Sequence, residues 1–198
     1  MVRYADDGAF TFRSIKDAER FREQLIERLA KYGIRVNQDK TATLPSGRRE
    51  AERHDQLGLP MPTFTFLGFL HVWGVSVNRK TGKRFWRVKR RTCPNRFRKK
   101  IAEMKSYIQK QRHEKDLILR VKRATLGYLN YFAVTDNGKR ISQFVYTVRR
   151  MLFKWLNRRS QKRSFDWVTF DRLLKKLAFP SPVILHHPFF TSKPKVCR

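Results

Sequence analysis

Two adjacent carboxylates near the start of the sequence, Asp6 and Asp7, have the type and spacing that can hold a divalent metal ion. They lie in the segment Tyr4-Ala5-Asp6-Asp7, between two short apolar runs of the kind that form strands. Nucleotidyl transfer uses such a turn, because Mg²⁺ bridges a 3′-oxygen and a triphosphate. Neighbouring side chains of a strand face opposite sides, so only a tight turn brings both carboxylates to one metal. We expect Gly8 to supply the backbone freedom for that turn; the alternative is a solvated hairpin turn without chemistry.

The elements around this turn predict a compact α/β layer over residues 1–44. Ser14 is a candidate helix N-cap, and Asp17 follows it at the spacing of a capping box. Apolar residues then recur at helical spacing, at Ala18, Phe21, Leu25 and Leu29. We expect Gly33 to end this helix and Ile34–Asn37 to follow as a short strand.

Residues 45–90 predict a loop followed by antiparallel strands. Residues 45–62 combine prolines and glycines with charges, which is typical of a loop or an insertion. Thr63–Phe69 alternates and then becomes fully apolar, as a strand does. Val72–Val77 and Arg84–Val88 predict two further strands, and Asn78–Gly82 predicts the hairpin turn that joins them.

The apolar period changes to that of helices after Pro94. Three successive stripes of apolar residues predict three helices, and a shorter helix is expected over Trp167–Ala178 after a Ser164 cap. The stripes are Phe97, Ile101, Met104 and Ile108; then Leu117, Val121, Ala124, Tyr128 and Phe132; then Ile141, Phe144 or Val145, Val148, Leu152 and Trp155. The sequence therefore predicts an α+β fold, with a mixed region over residues 1–90 and an all-α bundle over residues 91–198.

The charge of the chain indicates a polyanionic partner. The chain carries 46 Lys and Arg against 16 Asp and Glu, a formal net charge of +30. Residues 79–163 alone hold 28 Lys and Arg against four Asp and Glu, and such an excess repels itself unless a polyanion neutralises it. Nucleic acid is the first candidate. We expect no membrane partner, because the basic residues lie among core-forming helices and no apolar run reaches about 18 residues.

Cysteine usage favours a reducing, intracellular compartment. Cys93 and Cys197 are too few and too far apart for a zinc site or a disulfide framework. Aromatic residues stand among the basic residues of the helical half, and stacking combined with phosphate neutralisation suits single-stranded or looped RNA. These aromatics are Tyr128, Tyr131, Phe132, Trp155 and Trp167. The alternative is that they belong to the apolar core, which the stripes favour for Tyr128, Phe132 and Trp155.

Three segments in their order along the chain resemble the palm of a reverse transcriptase. They are the Tyr4–Asp7 turn, the lysine-bearing segment Asn37–Thr41 about thirty residues later, and the strand segment Phe66–Phe69. The resemblance is closest to group II intron-encoded reverse transcriptases. Leu126–Phe132 resembles the GxxNYF segment of the maturase-specific region in that family, and the basic helix ending at Arg149–Arg159 also fits it. The resemblance covers about residues 2–185.

This resemblance implies a fold and a set of site residues. Residues 1–90 would be a partial palm, with a β-hairpin, a helix and antiparallel strands, and residues 91–198 the thumb and maturase bundle. Asp6 and Asp7 would be the catalytic, Mg²⁺-binding pair, and Lys40 would lie near the incoming triphosphate. The primer grip would comprise Phe66, Leu67, Gly68 and Phe69, and the RNA-binding residues would be Arg149, Arg150, Lys154, Arg158 and Arg159. A solvated lysine at Lys40 and plain sheet core at Phe66 and Phe69 are the alternatives.

The resemblance also implies what the chain lacks. The fingers and the palm strand that bears the family's other essential aspartate have no counterpart, and two-metal catalysis needs ligands from both strands. We therefore expect no polymerisation by this chain alone, and Mg²⁺ as a cofactor only of the complete enzyme. The expected partners are group II intron RNA and, in the complete enzyme, target DNA, in the cytoplasm of a bacterium or in an organelle.

Three functions remain open from the sequence. The first is the C-terminal part of a group II intron reverse transcriptase/maturase, which assists splicing and, in the full-length protein, reverse transcription. The second is a stand-alone basic nucleic-acid-binding protein without catalytic activity. The third is a polymerase subunit that a separate N-terminal reverse-transcriptase chain completes.

Overall fold

The computed structural model describes residues 1–78, 80–159 and 164–187. Within these residues the chain forms six α-helices and two small antiparallel sheets, which confirms the α+β class. It divides into two compact units. The N-terminal unit contains Met1–Leu67 and His71–Lys89, and the C-terminal unit contains Gly68–Leu70 and the residues from Arg90 onward.

The chain begins with the predicted hairpin. Strand β1 (Val2–Tyr4) pairs antiparallel with β2 (Asp7–Ala9), and Tyr4 faces Asp7 across a two-residue turn. The prediction that Gly8 permits this turn is wrong. Gly8 lies within β2 opposite Arg3, and Ala5 instead takes the left-handed conformation, with φ of 51°.

Helix α1 (Ile15–Ala30) begins where the sequence predicts. The Ser14 side chain accepts a hydrogen bond from the Lys16 backbone N–H at 3.1 Å, as an N-cap does. Beyond the helix end Gly33 has φ of 72°, and the Ile34 N–H reaches back to the Leu29 carbonyl at 3.0 Å. This is the closing bond of a glycine-type C-terminus.

The predicted strand Ile34–Asn37 is wrong, because the segment forms no strand in the structure. Asn37 instead caps a short 3₁₀-helix, Gln38–Lys40, and its side chain accepts from the Lys40 N–H at 3.2 Å. The Thr41 hydroxyl also donates to the Asn37 carbonyl, at 2.8 Å. Local side-chain hydrogen bonds of this kind compete with strand pairing.

The predicted loop over residues 45–62 contains a helix. Helix α2 (Arg48–Gln56) begins after Gly47 and ends before Gly58, so the glycines bound the helix instead of interrupting it. Glu50 pairs with Arg53 at 3.8 Å and with His54 at 3.3 Å, at helical spacings.

The second sheet has the strand order β3-β4-β5, formed by β3 (Phe64–Phe66), β4 (Phe69–Val77) and β5 (Arg84–Thr92). The strand predicted over Thr63–Phe69 is therefore two strands. The turn between them is Leu67-Gly68, with φ of 49° and 79°. Two consecutive positive φ values are the signature of a type I′ hairpin turn, in which the first residue is ordinarily Asn or Gly.

The C-terminal unit contains the predicted helices: α3 (Pro94–Lys110), α4 (Leu117–Phe132), α5 (Gly138–Leu156) and α6 (Trp167–Lys176). This confirms the three helices predicted from the apolar stripes, although in α4 the buried residue is Thr125 and not the predicted Ala124, which is exposed. The cap of α6 is Asp166 and not Ser164, since the Asp166 carboxylate accepts from the Thr169 N–H at 2.7 Å. The 3₁₀-helix Thr135–Asn137 leads into α5.

The apolar core lies in the C-terminal unit. Its fully buried members come from α3, α4, α5 and α6, among them Ile108, Leu117, Val121, Ile141, Phe144, Val148, Leu152 and Phe170. In the N-terminal unit Ala51 is the buried apolar residue among those described, and α1 buries none. Large apolar side chains of that unit are exposed, including Tyr4, Ile15 and Ile34.

A buried polar network fixes the start of α5 against the end of β5. The Asn137 side chain accepts from the Thr92 N–H at 2.9 Å and donates to the Thr92 hydroxyl at 2.6 Å. It also donates to the Phe132 carbonyl at 2.9 Å. Since buried polar groups are costly when unpaired, this network defines the orientation of α5.

Tyr128 gives a pH-dependent test of the core. Its ring stacks on Phe144 at 3.7 Å, and burial raises the pKa of its phenol, an effect that Thr92 and Arg140 only partly offset. The folded protein thus keeps the proton longer than the unfolded chain, so stability present below about pH 10 falls as the pH rises further. Tyr128→Phe is expected to remove this alkaline component from the free energy of unfolding.

Urea unfolding followed by helical circular dichroism at pH 8 and pH 11 measures this component. Tyr146→Phe is the matched control, because Tyr146 is exposed and the variant leaves the buried phenol in place. An equal alkaline loss of stability in the wild type and Tyr128→Phe would contradict the assignment.

Candidate nucleic-acid interface

Helix α5 presents one buried and one basic face. Its buried face packs in the core through residues such as Phe144, Val148 and Leu152, all fully buried. Exposed side chains occur at four-residue spacing on another face, at Tyr146, Arg150 and Lys154, and the exposed Arg158 follows in the turn beyond the helix end. Residues four apart are neighbours on a helix surface, so Arg150 and Lys154 adjoin on α5, and Arg158 follows four residues further along the chain. We call Arg150, Lys154 and Arg158 the α5 cationic stripe.

The α5 cationic stripe has no carboxylate partner among the residues described. Its cations instead lie over aromatic rings. The Arg150 guanidinium is 5.7 Å from the Tyr146 ring, and Lys154 Nζ and the Arg158 guanidinium are 5.7 and 5.4 Å from the Trp155 ring. Cation–π contacts leave the N–H donors free for an anion. The stripe can therefore bind phosphates without first breaking an ion pair.

The other two predicted RNA-binding residues, Arg149 and Arg159, form hydrogen bonds to other groups of the protein. Arg149 Nη2 pairs with Asp171 Oδ1 of α6 at 2.5 Å. The Arg159 guanidinium donates to the carbonyl of Arg112 and, at 3.0 Å, to that of Glu114. The Arg159 bonds satisfy two backbone carbonyls in the connection between α3 and α4. The two arginines thus stabilise the C-terminal unit. Residue type alone does not distinguish them from the cations of the α5 cationic stripe.

The aromatic residues of the helical half also separate into two groups. Tyr128 is buried, and Phe132 packs against the same core. Trp167 and Tyr131 are 45% and 49% exposed. Trp167 stacks on Phe153 with ring centroids 3.8 Å apart. Sequence reasoning missed Tyr146, although its position one turn before Arg150 was a usable signal.

The predicted catalytic pair lies at the β1–β2 hairpin. Asp6 is in the turn, Asp7 begins β2, and both side chains are exposed. No group of three or more His, Cys, Asp or Glu side chains suited to a metal ion occurs in the described part of the chain. Two carboxylates fit Mg²⁺ only where substrate phosphates and water complete its octahedron. Mg²⁺ binding by Asp6 and Asp7 stays a prediction.

The other residues that the sequence resemblance assigns to a palm are Lys40 and Phe66–Phe69. Lys40 ends the 3₁₀-helix, is exposed, and forms no ion pair with Asp6 or Asp7 among the described residues. The predicted primer grip, Phe66–Phe69, is the type I′ turn between β3 and β4 with its two flanking phenylalanines. Phe69 stacks on Tyr131 at 5.6 Å and tilts against Phe132 at 5.2 Å.

Comparison with known families decides the nature of the helical region. Residues 94–173 match the family described as "Group II intron, maturase-specific domain". This region is a group II intron maturase-specific domain. It contains α3, α4 and α5 in full and most of α6, so the α5 cationic stripe belongs to the maturase-specific domain. The GxxNYF-like segment Leu126–Phe132 lies within it, on α4.

The maturase-specific domain implies a function in group II intron splicing. The match also confirms the resemblance, noted in the sequence, to the C-terminal region of a group II intron maturase. No curated protein and no solved structure matches the chain. The match begins at residue 94, so it does not extend to Asp6, Asp7, Lys40 or Phe66–Phe69. No helix among the described residues is long and apolar enough to cross a membrane.

Proposed function

We propose that this protein binds group II intron RNA through the α5 cationic stripe of its maturase-specific domain and thereby assists splicing. The observation that carries the proposal is that Arg150 and Lys154, on a helix whose other face is fixed in the core, and Arg158, in the turn that follows, are exposed and have no carboxylate partner among the described residues. Phosphate oxygens supply the missing negative charge, and their neutralisation releases counterions from the RNA.

A rigid helix suits this function, because an ordered array of cations loses little conformational freedom on binding. The Asn137 network fixes the N-terminus of α5, and the Arg149–Asp171 pair fixes its middle against α6. Arg and Lys complement each other here. Arg150 and Arg158 offer planar forks that match phosphate geometry, and Lys154 offers a compact charge between them.

Photo-crosslinking tests where the RNA lies. A group II intron transcript containing 4-thiouridine would be irradiated with the protein, and the crosslinked peptides identified by mass spectrometry. We expect crosslinks within residues 146–158. Crosslinks confined to residues 1–67 would contradict the assignment, and a transcript of equal length without an intron serves as the control.

The palm-like residues carry a second part of the proposal, which belongs to a complete reverse transcriptase. There Asp6 and Asp7 would hold Mg²⁺, Lys40 would contact the incoming triphosphate, and Phe66–Phe69 would position the primer end on target DNA. Bound Mg²⁺ would supply charge stabilisation at the transferred phosphate. The support is the sequence resemblance of residues 1–90, together with the observed hairpin turn at Ala5-Asp6.

The stand-alone basic binding protein remains the second candidate, favoured by the net charge of +30. Selectivity separates the two functions. A maturase prefers folded group II intron RNA to other structured RNA of equal length at about 0.15 M salt, where surface charges are screened beyond about 8 Å. Equal affinity for both RNAs would favour the stand-alone protein.

A further inference from the structure

A cleft lies beside the α5 cationic stripe, between α5 and α6 of the C-terminal unit. It has a volume of about 510 Å³ and is lined by Tyr146, Arg149, Arg150, Trp167 and Asp171. Clefts that bind small ligands measure about 300–1,000 Å³. The lining combines two aromatic rings with both signs of charge, which is the chemistry of a nucleobase attached to a phosphate.

Trp167 forms a rigid wall of this cleft. Its ring stacks on Phe153 at 3.8 Å and 11°, and Phe170, which is fully buried, meets it edge-on at 5.9 Å. The Asp166 cap fixes the first turn of α6, where Trp167 lies. Nevertheless 45% of Trp167 is exposed. A ring that is held on one face and open to solvent elsewhere is ready to stack a base without losing further freedom.

Tyr146 and the charged residues complete the arrangement. Tyr146 is 62% exposed on α5, with the Arg150 guanidinium 5.7 Å from its ring. The Arg149–Asp171 pair lines the same cleft and offers N–H donors and carboxylate acceptors to the edge of a base. Arg150 also belongs to the cationic stripe, so it lies where a phosphate attached to such a base would be neutralised.

We propose that this cleft binds an unpaired nucleobase from a loop or bulge of the RNA, stacked against Trp167 and Tyr146, with Arg150 on the adjoining phosphate. This inference rests on the proposed function, because it specifies which RNA element the maturase-specific domain selects. Bases inside a duplex are not available for stacking on protein side chains, so RNA readers of this kind act on single-stranded loops and bulges.

Two RNA hairpins that differ in length by one nucleotide test the cleft. One carries a single-nucleotide bulge in its stem and the other is fully paired in the stem, with the same stable tetraloop. The wild type is expected to bind the bulged hairpin about 5- to 150-fold more tightly, the range that stacking of one base supplies. Tyr146→Ala and Trp167→Ala are each expected to reduce this preference, with little change for the paired hairpin.

Conservative variants are the matched controls. Tyr146→Phe and Trp167→Tyr keep a ring at each position and should retain most of the preference. Because Trp167 also packs on Phe153, thermal melting checks that its variants fold; Tyr146 is exposed, so its alanine variant tests the cleft even if Trp167→Ala unfolds.

The outcomes separate this inference from the proposed function. Weak binding of both hairpins by the wild type would refute RNA binding itself. Tight binding without a preference for the bulge, or a preference that survives both alanine variants, would overturn the stacking site and leave the proposed function intact. Loss of affinity for both hairpins in Tyr146→Ala would also overturn it, since a base-stacking residue acts only on the unpaired base.

Discussion

Simultaneous replacement of Arg150, Lys154 and Arg158 by glutamate is expected to weaken binding of group II intron RNA by more than about 100-fold. Hydrogen bonds to charged groups contribute about 1.5–3 kcal/mol each, and tenfold in affinity corresponds to about 1.4 kcal/mol. Arg149 and Arg159 are left unchanged, because their guanidinium groups bind Asp171 and the α3–α4 connection. Their replacement would therefore confuse folding with RNA contact. Filter binding at about 0.1 M salt measures the loss, where the Debye length is about 10 Å.

The matched control reverses three exposed cations of α1, namely Lys16, Arg20 and Arg28. Both variants lower the net charge equally, so a general electrostatic effect predicts equal losses. The proposed interface predicts less than about a fivefold loss for the α1 variant, because charges outside the contact are screened. Equal losses for the two variants would contradict an interface on α5. Circular dichroism confirms the fold of each.

Primer extension is expected to be absent from the 198-residue chain and to depend wholly on Asp6 in a protein that also contains upstream fingers and palm. Asp6 and Asp7 have no third metal-binding partner among the described residues, and Mg²⁺ requires nearly octahedral coordination. Without a further carboxylate, the second metal of nucleotidyl transfer has no fixed position. Asp6→Ala in the longer protein should abolish incorporation of labelled nucleotide on an RNA template.

Asp17→Ala is the control for that experiment. Asp17 lies in the first turn of α1, so its loss removes a carboxylate from the same unit without touching the hairpin turn. Extension by the 198-residue chain alone, lost on Asp6→Ala and kept on Asp17→Ala, would show that the hairpin carboxylates suffice for catalysis.

The helical half could be predicted from the sequence because its apolar stripes are long and uninterrupted. Each of α3, α4 and α5 has at least sixteen residues, so several turns repeat the same periodicity and chance matches are averaged out. The charge of the same half indicated a polyanion equally directly. The apolar periodicity and the net charge both depend only on which residues occur and in what order, so they can be read from a single sequence.

The predictions that were wrong concern short segments, where one side-chain bond decides the structure. Ile34–Asn37 has too few residues to define a period, and Asn37 caps a 3₁₀-helix instead of ending a strand. The glycines around α2 suggest a loop by composition, but in the structure they bound a helix. At the first hairpin Ala5, and not Gly8, has the positive φ. The register of the two strands determines which residues form the turn, and composition does not reveal that register.

The candidate interface could be predicted only in part. The basic positions of α5 are visible in the sequence, but their partners are not. Asp171 lies 22 residues from Arg149, and the carbonyls that bind Arg159 lie more than 40 residues before it. Only tertiary structure separates those two arginines from the cationic stripe, and only it places Tyr146 and Trp167 at one cleft.

The salt dependence of RNA binding tests the central claim most directly, because its slope counts the phosphates that the protein neutralises. Each single-strand phosphate contributes about −0.7 to the slope of log K against log[salt]. We expect a slope of roughly −3 or steeper for the wild type. Alanine at Arg150, Lys154 and Arg158 should make the slope shallower by about 2, and alanine at Lys16, Arg20 and Arg28 should leave it unchanged. An identical slope in the wild type and the α5 variant, or an affinity independent of salt, would contradict the account.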